Sequence, residues 1–350
     1  MAAEPAAVPS FLVYGAGAVG SFLGAKLATS SFAVTMLARP ATRRLLVREG
    51  LRLALPDGPS VIRLPAITSL DELTTSPDFV LLTVKAYSVA EALPDLERLA
   101  AQGATIVTLQ NGVGTEEFLS ANGAIKRLIA ASLTISVGND NGVVRQETTQ
   151  CGMALAPVDD PGTTIDTLQS VFETAGIRVL RCPDARQMKW SKLLINILGN
   201  ATSAILATEP GALFADPALF RLERQAFIEA LVVMAAQGFT PLALPGFNIP
   251  LICQAMRLPL WLSRRLVAPR IARGRGDKRP SLWLDLDNQR GQTEIDWLNG
   301  AVVRAAEQFG VPTPVNRALT RLVNDLAADP SRRAEYAGHP KALLRAIDGR

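Results

Sequence analysis

The run Gly15-Ala16-Gly17-Ala18-Val19-Gly20 constrains this chain more than any other stretch, because of what flanks it. Phe11 to Tyr14 in front is short and apolar, with the texture of a buried strand, and Ala18 to Ala28 behind has helical periodicity. Three glycines at this spacing suit a strand-to-helix turn. The first allows the tight bend, the second lets the backbone approach a pyrophosphate, and the third lets helix and strand pack closely. The helix then offers its N-terminal N–H groups and the positive end of its dipole to the phosphates. Gly15, Gly17, Ala18, Val19 and Gly20 are therefore expected to hold a dinucleotide.

The end of the second strand, Phe32 to Ala38, selects the dinucleotide. An NAD site usually carries Asp or Glu there to bind the ribose diol. This chain reads Leu37-Ala38-Arg39-Pro40, with no acid. A guanidinium can grip a 2′-phosphate bidentately, so Arg39 points to NADP(H), with Arg43 or Arg44 as helpers. The plainer alternative is an exposed loop arginine. Two more strand ends carry polar residues. Lys85 follows the apolar run Asp78 to Val84 and could approach the phosphates or the nicotinamide. Asn111 follows Thr105 to Leu109 and could orient nicotinamide or substrate by hydrogen bonds, although Gln-Asn-Gly alone is simply a turn.

Helix and strand alternate with short connections through this region, which predicts an α/β fold with a Rossmann-type, doubly wound sheet. Leu51 to Leu55 and Val61 to Leu64 flank Pro56-Asp57-Gly58-Pro59 as a hairpin, and Leu128 to Val137 and Gly152 to Ala156 are expected to extend the sheet. Beyond Asp184 helical periodicity takes over, in Ala185–Ala207, Pro217–Gln237, Thr293–Phe309 and Pro314–Ala327. The expected organisation is a flexible leader over residues 1–9, an NADP-binding domain over 10–183, an all-helical catalytic domain over 184–330 and a tail over 331–350. The Pro-, Leu- and Arg-rich stretch from Phe239 to Pro280 has no clear assignment.

Composition narrows the function. Of 350 residues 48% are hydrophobic and 19% charged, as in a globular protein. The net charge of +4 is local: Arg264, Arg265, Arg270, Arg273, Arg275, Lys278 and Arg279 stand against Asp277 alone. The remainder of the chain is slightly acidic, so no general nucleic-acid-binding surface is expected. The cluster reads as a solvated loop or a helix bridging to a dimer mate, and a homodimer stays open. Cys151, Cys182 and Cys253 lack metal or disulfide spacing and there is a single histidine, His339, so no metal site is expected and a cytoplasmic setting is. The N-terminus lacks the pattern of a signal peptide, and no stretch is long and apolar enough to span a membrane.

Chemistry is expected from Lys192, Asn196 and Asn200, spaced i, i+4, i+8 in an otherwise apolar helical run. Burying such a row costs several kcal/mol unless a ligand or a polar network satisfies it. A partly desolvated lysine has a lowered pKa and suits general acid catalysis, whereas a structural network is the alternative. Glu294, in Thr293-Glu294-Ile295-Asp296, sits at an expected helix start, where the dipole favours a carboxylate without any functional cause.

Taken in order, the glycine loop with Arg39, Val-Lys-Ala at Lys85, Gln-Asn-Gly at Asn111, the Lys192–Asn196–Asn200 spacing and the Thr-Glu-Ile-Asp at Glu294 resemble the ketopantoate reductase family over about residues 10 to 325. The resemblance implies NADPH-dependent reduction of 2-dehydropantoate to pantoate in pantothenate and coenzyme A biosynthesis. It implies Lys192 as the acid that protonates the carbonyl oxygen, Glu294 as a ligand of the substrate hydroxyl, and Asn111, Asn196, Asn200 and Ser281 as substrate contacts. The family's Pro-Ser-Met-Leu-Gln-Asp reads Pro-Ser-Leu-Trp-Leu-Asp from Pro280, with one extra residue before Glu294. Three alternatives stay open. One is a paralogue acting on another branched 2-oxo acid, one a 3-hydroxy-acid dehydrogenase of the 6-phosphogluconate type, and one a non-catalytic NADP(H)-binding regulator.

Overall fold

Phe11, Leu12 and Val13 form the middle of a strand buried on both faces, and the rest of the first unit is arranged around it. A computed structural model describes residues 8–55, 58–140, 142–159, 163–275, 279–289 and 291–348. Most of the expected leader, the turn residues Pro56 and Asp57, and Asp277 and Lys278 of the basic cluster lie outside the described residues.

The elements of the first unit run β1 (Ser10–Tyr14), α1 (Ala18–Thr29), β2 (Ala33–Leu37), α2 (Pro40–Glu49), β3 (Leu51–Leu55), β4 (Gly58–Ile62), β5 (Ala66–Ile67), β6 (Phe79–Leu82), α3 (Val89–Ala101), β7 (Thr105–Thr108), α4 (Thr115–Ala121), β8 (Leu128–Leu133), β9 (Val137–Asp140), β10 (Val143–Gln146), β11 (Met153–Asp159), α5 (Thr163–Thr174) and β12 (Val179–Arg181). Eight strands form one sheet in the order β12-β11-β8-β7-β6-β1-β2-β5. Alternate residues feed opposite cores. Phe11, Val13, Phe79, Leu81 and Val107 pack with α1 and α5 on one face. Leu12, Val80, Leu82 and Ile106 pack with α3 and α4 on the other. This explains the unbroken apolar runs, since a strand covered by helices on both sides has no polar face.

The strand order reverses at β1, which pairs in parallel with β2 on one side and with β6 on the other. The ends of β1, β2 and β6 therefore share one edge of the sheet, the edge where such folds take up ligands. The run Leu128–Val137 does not extend the sheet as a single strand. β8 stops at Leu133, and β11 joins it antiparallel rather than parallel. Val137 begins β9, part of a separate four-stranded sheet in the order β4-β3-β10-β9. Its β9–β10 hairpin has no strong apolar alternation and was not expected from the sequence.

After Arg181 the described residues contain no strand, only an isolated bridge between Leu244 and Phe247. The helices are α6 (Ala185–Ile197), α7 (Asn200–Leu206), α8 (Pro210–Ala215), α9 (Pro217–Ala236), α10 (Ile249–Arg257), α11 (Leu260–Arg275), α12 (Ser281–Asp287), α13 (Asn299–Phe309), α14 (Pro314–Ala328), α15 (Arg333–Tyr336) and α16 (Pro340–Asp348). Local chemistry starts several of them. Asp216 accepts from the Ala218 and Leu219 N–H groups at 2.7 and 3.1 Å, with Pro217 at the first helical position of α9. The start of α14 is capped from elsewhere: the buried Glu229 carboxylate accepts from the Val315 and Asn316 N–H groups at 3.1 and 3.0 Å.

Contacts group the chain into two units, each interrupted in sequence. One compact unit comprises Met1–Gln110, Thr115–Met188 and Leu244–Phe247, and the other Asn111–Gly114, Lys189–Ala243 and Asn248–Arg350. Within residues 331–348, Tyr336 and Leu343 are buried. The stretch from Phe239 to Pro280 holds α10 and α11, so Arg264, Arg265 and Arg270 lie on a helix rather than in a loop.

Candidate active site

The glycine loop is built by close packing. Gly15 has φ +114°, a backbone state that favours glycine, and a Cβ there would lie 2.9 Å from Val84 Cγ1. A Cβ on Gly20 would lie 2.1 Å from the Gly15 carbonyl oxygen and 2.5 Å from Thr83 Oγ1. Gly17 is the opposite case, since a Cβ there would meet nothing within 4 Å. Gly17 is also the N-cap of α1, where no side chain caps the helix and no acid stands in the first turn. Ala18 and Val19 open that helix. The result is a helix N-terminus with its donors uncapped, an open face at the second glycine, and a tightly packed third glycine. These features fit a dinucleotide pyrophosphate.

Two residues that the sequence did not single out hold this edge. Thr83 Oγ1 donates to the Gly15 carbonyl at 2.6 Å, tying the loop to the residue after β6. Gln110 Nε2 donates to the carbonyls of Leu82 and Val84 at 2.8 and 3.0 Å, fixing the end of β6 from β7's side. A hydroxyl closing an apolar strand was a faint signal for Thr83; Gln110 had none outside a turn-like tripeptide. Lys85 follows β6, half-buried, and opens a short 3₁₀ turn over Ala86–Ser88. Arg39 is exposed and is the N-cap of α2. Arg43 is not at liberty to help it: Nε donates to the Ala66 carbonyl at 2.9 Å, and a second nitrogen pairs with Glu72 at 3.3 Å. Arg44 is exposed.

In the second unit the expected helix Ala185–Ala207 is broken. Gly199 has φ 67° and ψ 5°, in the left-handed region, so α6 ends at Ile197 and α7 starts at Asn200. A Cβ on Gly199 would lie 2.9 Å from the Phe214 ring, and the Gly199 N–H donates to buried Glu223 Oε2 at 2.6 Å. Lys192 and Asn196 therefore share one turn of α6, both half-buried, but Asn200 leaves their row. The site residues are brought together in two pairs. Asn196 Nδ2 donates to Asn111 Oδ1 at 3.2 Å. Asn200 Nδ2 donates to Ser281 Oγ at 3.4 Å, while its Oδ1 accepts from the Leu282 N–H at 3.2 Å.

Glu294 is buried and begins a 3₁₀ helix, Glu294–Trp297, whose start Thr293 caps by accepting from the Ile295 N–H. The expected helix Thr293–Phe309 is thus two elements, divided at Leu298. Trp297, not foreseen as part of the site, anchors the loop that carries Asn111. Its carbonyl accepts from the Val113 N–H at 3.0 Å, and a Cβ on Gly112 would come within 2.1 Å of that oxygen. Beyond the end of α12, Gln289 (φ 48°) and Gly291 (φ 69°) take left-handed backbone. Ser281 lies beside Asn200. The altered run puts Trp283 in the interior, with the Arg279 guanidinium 5.1 Å over its ring, and leaves Leu284 exposed.

No helix among the described residues is long and apolar enough to cross a membrane. Comparison with known proteins gives a consistent result. The family model described as ketopantoate reductase PanE/ApbA matches residues 11–159, and its C-terminal counterpart matches residues 184–327. A 2-dehydropantoate 2-reductase of Halobacterium salinarum is 29% identical over 318 residues, covering 89% of this chain and 97% of the relative. A Mesorhizobium japonicum 2-dehydropantoate 2-reductase is 26% identical over 339 residues, with coverages of 91% and 97%. The solved PanE/ApbA family ketopantoate reductase of Ralstonia eutropha superposes with TM-score 0.76 at 27% identity, covering 92% of this chain and 99% of that one. D-mandelate dehydrogenase, solved with NADH and anilino(oxo)acetate, shares the fold at TM-score 0.75 and 21% identity, with coverages of 91% and 98%. With both halves matched by models of one family, the chain belongs to the ketopantoate reductase family of oxidoreductases.

Proposed function

We propose that this protein reduces 2-dehydropantoate, or a closely related branched 2-oxo acid, with NADPH. The observation that carries the reading is the Asn196–Asn111 bond, made one helical turn from Lys192 on α6. Lys192 and Asn196 are half-buried and Asn111 is exposed, so an anionic ligand can reach their amide and ammonium donors and complete the set. Gly15, Gly17, Gly20 and the first turn of α1 would hold the pyrophosphate, and Arg39 the 2′-phosphate. When bound, the reduced nicotinamide supplies the hydride.

The chain's own residues supply the rest. Lys192 delivers a proton to the carbonyl oxygen as negative charge develops there, and its ammonium stabilises that charge beforehand. Asn196 and Asn111 orient the carbonyl and carboxylate by amide hydrogen bonds. Ser281 offers its hydroxyl to the carboxylate. Asn200, nearly buried and bonded to both Ser281 and Leu282, acts chiefly by placing Ser281. Glu294 accepts a hydrogen bond from the substrate hydroxyl. The pathway assignment to pantothenate synthesis, and with it a cytoplasmic location, rests on the substrate being ketopantoate.

The deciding assay follows NADPH oxidation with ketopantoate and a panel of 2-oxo acids, on wild type and Lys192→Ala. Wild type should turn over at least one of them, and the variant should lose roughly 10²- to 10⁴-fold in kcat, the usual worth of a positioned acid. Wild-type inactivity on every 2-oxo acid removes the reading. Full activity in Lys192→Ala removes Lys192 as the acid.

A further inference from the structure

We propose that the C-terminal stretch Asp329 to Asp348 is a clamp that holds Ser281 against Asn200, with Arg333 as its positioning residue. The functional importance of that pair rests on the reading above; the clamp itself is read from the second unit alone. Ser281 and Asn200 are the first residues of two short helices, α12 and α7, each of seven residues. Elements of about two turns have little stability of their own, so their far ends must be held.

The C-terminal stretch holds both far ends. Asp287 is the last residue of α12, where a carboxylate faces the negative end of the helix dipole and needs cations beside it. Arg333 Nη1 donates to Asp287 Oδ1, and Arg279 pairs with Oδ2 at 3.2 Å. The Arg333 side chain is 19% exposed against 59% for Arg279, so water screens its bond much less. At the end of α7, the Gly338 N–H donates to the Leu206 carbonyl at 2.8 Å. The clamp is itself anchored. Tyr336 and Leu343 are buried, Asp329 accepts from the Ser331 N–H at 3.1 Å, and Arg332 pairs with Asp325 of α14 at 3.7 Å.

Hydrogen–deuterium exchange on the full chain tests the clamp without relying on turnover. Arg333→Ala should raise exchange over residues 281–287 and 200–206 roughly tenfold, leaving α9 and the first unit unchanged, as expected for a lost charge-assisted bond. Arg333→Lys should restore part of the protection, since it keeps the charge without the planar fork. Asp287→Asn, which leaves Arg333 in place, should loosen the same residues. In kinetics, Arg333→Ala should raise KM for the 2-oxo acid roughly tenfold, with kcat and KM for NADPH unchanged. Unaltered exchange over 281–287 in both Arg333→Ala and Asp287→Asn overturns the clamp. Altered exchange with unaltered substrate KM leaves a clamp of structural value only and overturns its role in the site. A wild type inactive on every 2-oxo acid instead overturns the functional reading, and the exchange result still decides the clamp.

Discussion

The Gly199 N–H donates to Glu223 Oε2 at 2.6 Å, and this bond stands where α6 gives way to α7. It satisfies a backbone donor that the helical ladder abandons at the break. It also fixes the turn separating the Lys192–Asn196 face from Asn200. Gly199→Ala must place a Cβ in the left-handed region and 2.9 Å from the Phe214 ring. The backbone and packing costs together should lower stability by about 2–4 kcal/mol, as measured by urea unfolding. A loss below about 0.5 kcal/mol, the scatter of neutral substitutions, would show that the break is not steric.

Gly17 and Gly20 make a matched pair of substitutions. Gly20→Ala should destabilise the fold, because its Cβ collides with the Gly15 carbonyl at 2.1 Å. Gly17→Ala should leave the melting temperature nearly unchanged, since its Cβ meets open space, yet weaken NADPH binding by roughly tenfold or more where the pyrophosphate needs that space. Thermal melts and cofactor fluorescence titrations separate the two. Wild-type NADPH affinity in Gly17→Ala would remove the second glycine from the phosphate site.

Arg39→Asp should invert cofactor preference. The loss of a charge-assisted pair with the 2′-phosphate, and the repulsion introduced, should cut kcat/KM for NADPH relative to NADH by roughly 10- to 100-fold or more. Arg43 is already committed to Ala66 and Glu72, so Arg43→Ala should change that ratio much less. An unmoved ratio in Arg39→Asp refutes the cofactor assignment.

Burial pushes the Cys182 and Cys253 thiols up to about 11. A folded-state value above the unfolded one means the neutral thiol is favoured by folding. That contribution is complete below the unfolded value, about 9, and is lost as pH rises through about 11. Native protein at mildly alkaline pH should therefore alkylate at Cys182 and Cys253 roughly a hundredfold more slowly than protein in urea, read by peptide mass mapping. Equal rates in the two states would contradict the burial of these thiols.

Much of this architecture was legible because it rests on local rules. The strands β1, β6, β7 and β8 declare themselves as apolar runs, and the glycine loop declares its strand-to-helix turn. The helical unit was legible as a texture but not in its interruptions. Gly199 in a helical pattern reads as a tolerated glycine, and only Phe214 and Glu223, distant in sequence, make it a break. Leu298 interrupts the other expected helix without glycine or proline to announce it. The β9–β10 hairpin was missed because Val137–Asp140 buries no complete face. In the site, Lys192, Asn196, Asn111 and Glu294 stood out as polar residues in apolar or turn-like settings. Thr83, Gln110 and Trp297 did not, since each acts through backbone carbonyls that no side-chain pattern encodes.

The four residues Asn111–Gly114 group with the helical unit, although the chain on either side of them belongs to the sheet-bearing one. Leu244–Phe247 make the reverse exchange. Neither unit is therefore a single uninterrupted length of chain, and a chimaera joined at Met188 would inherit a foreign Gly112 against its own Trp297. Recombination between relatives has to move the loop and the tryptophan as one module, so this pair sets the grain along which the protein can be shuffled.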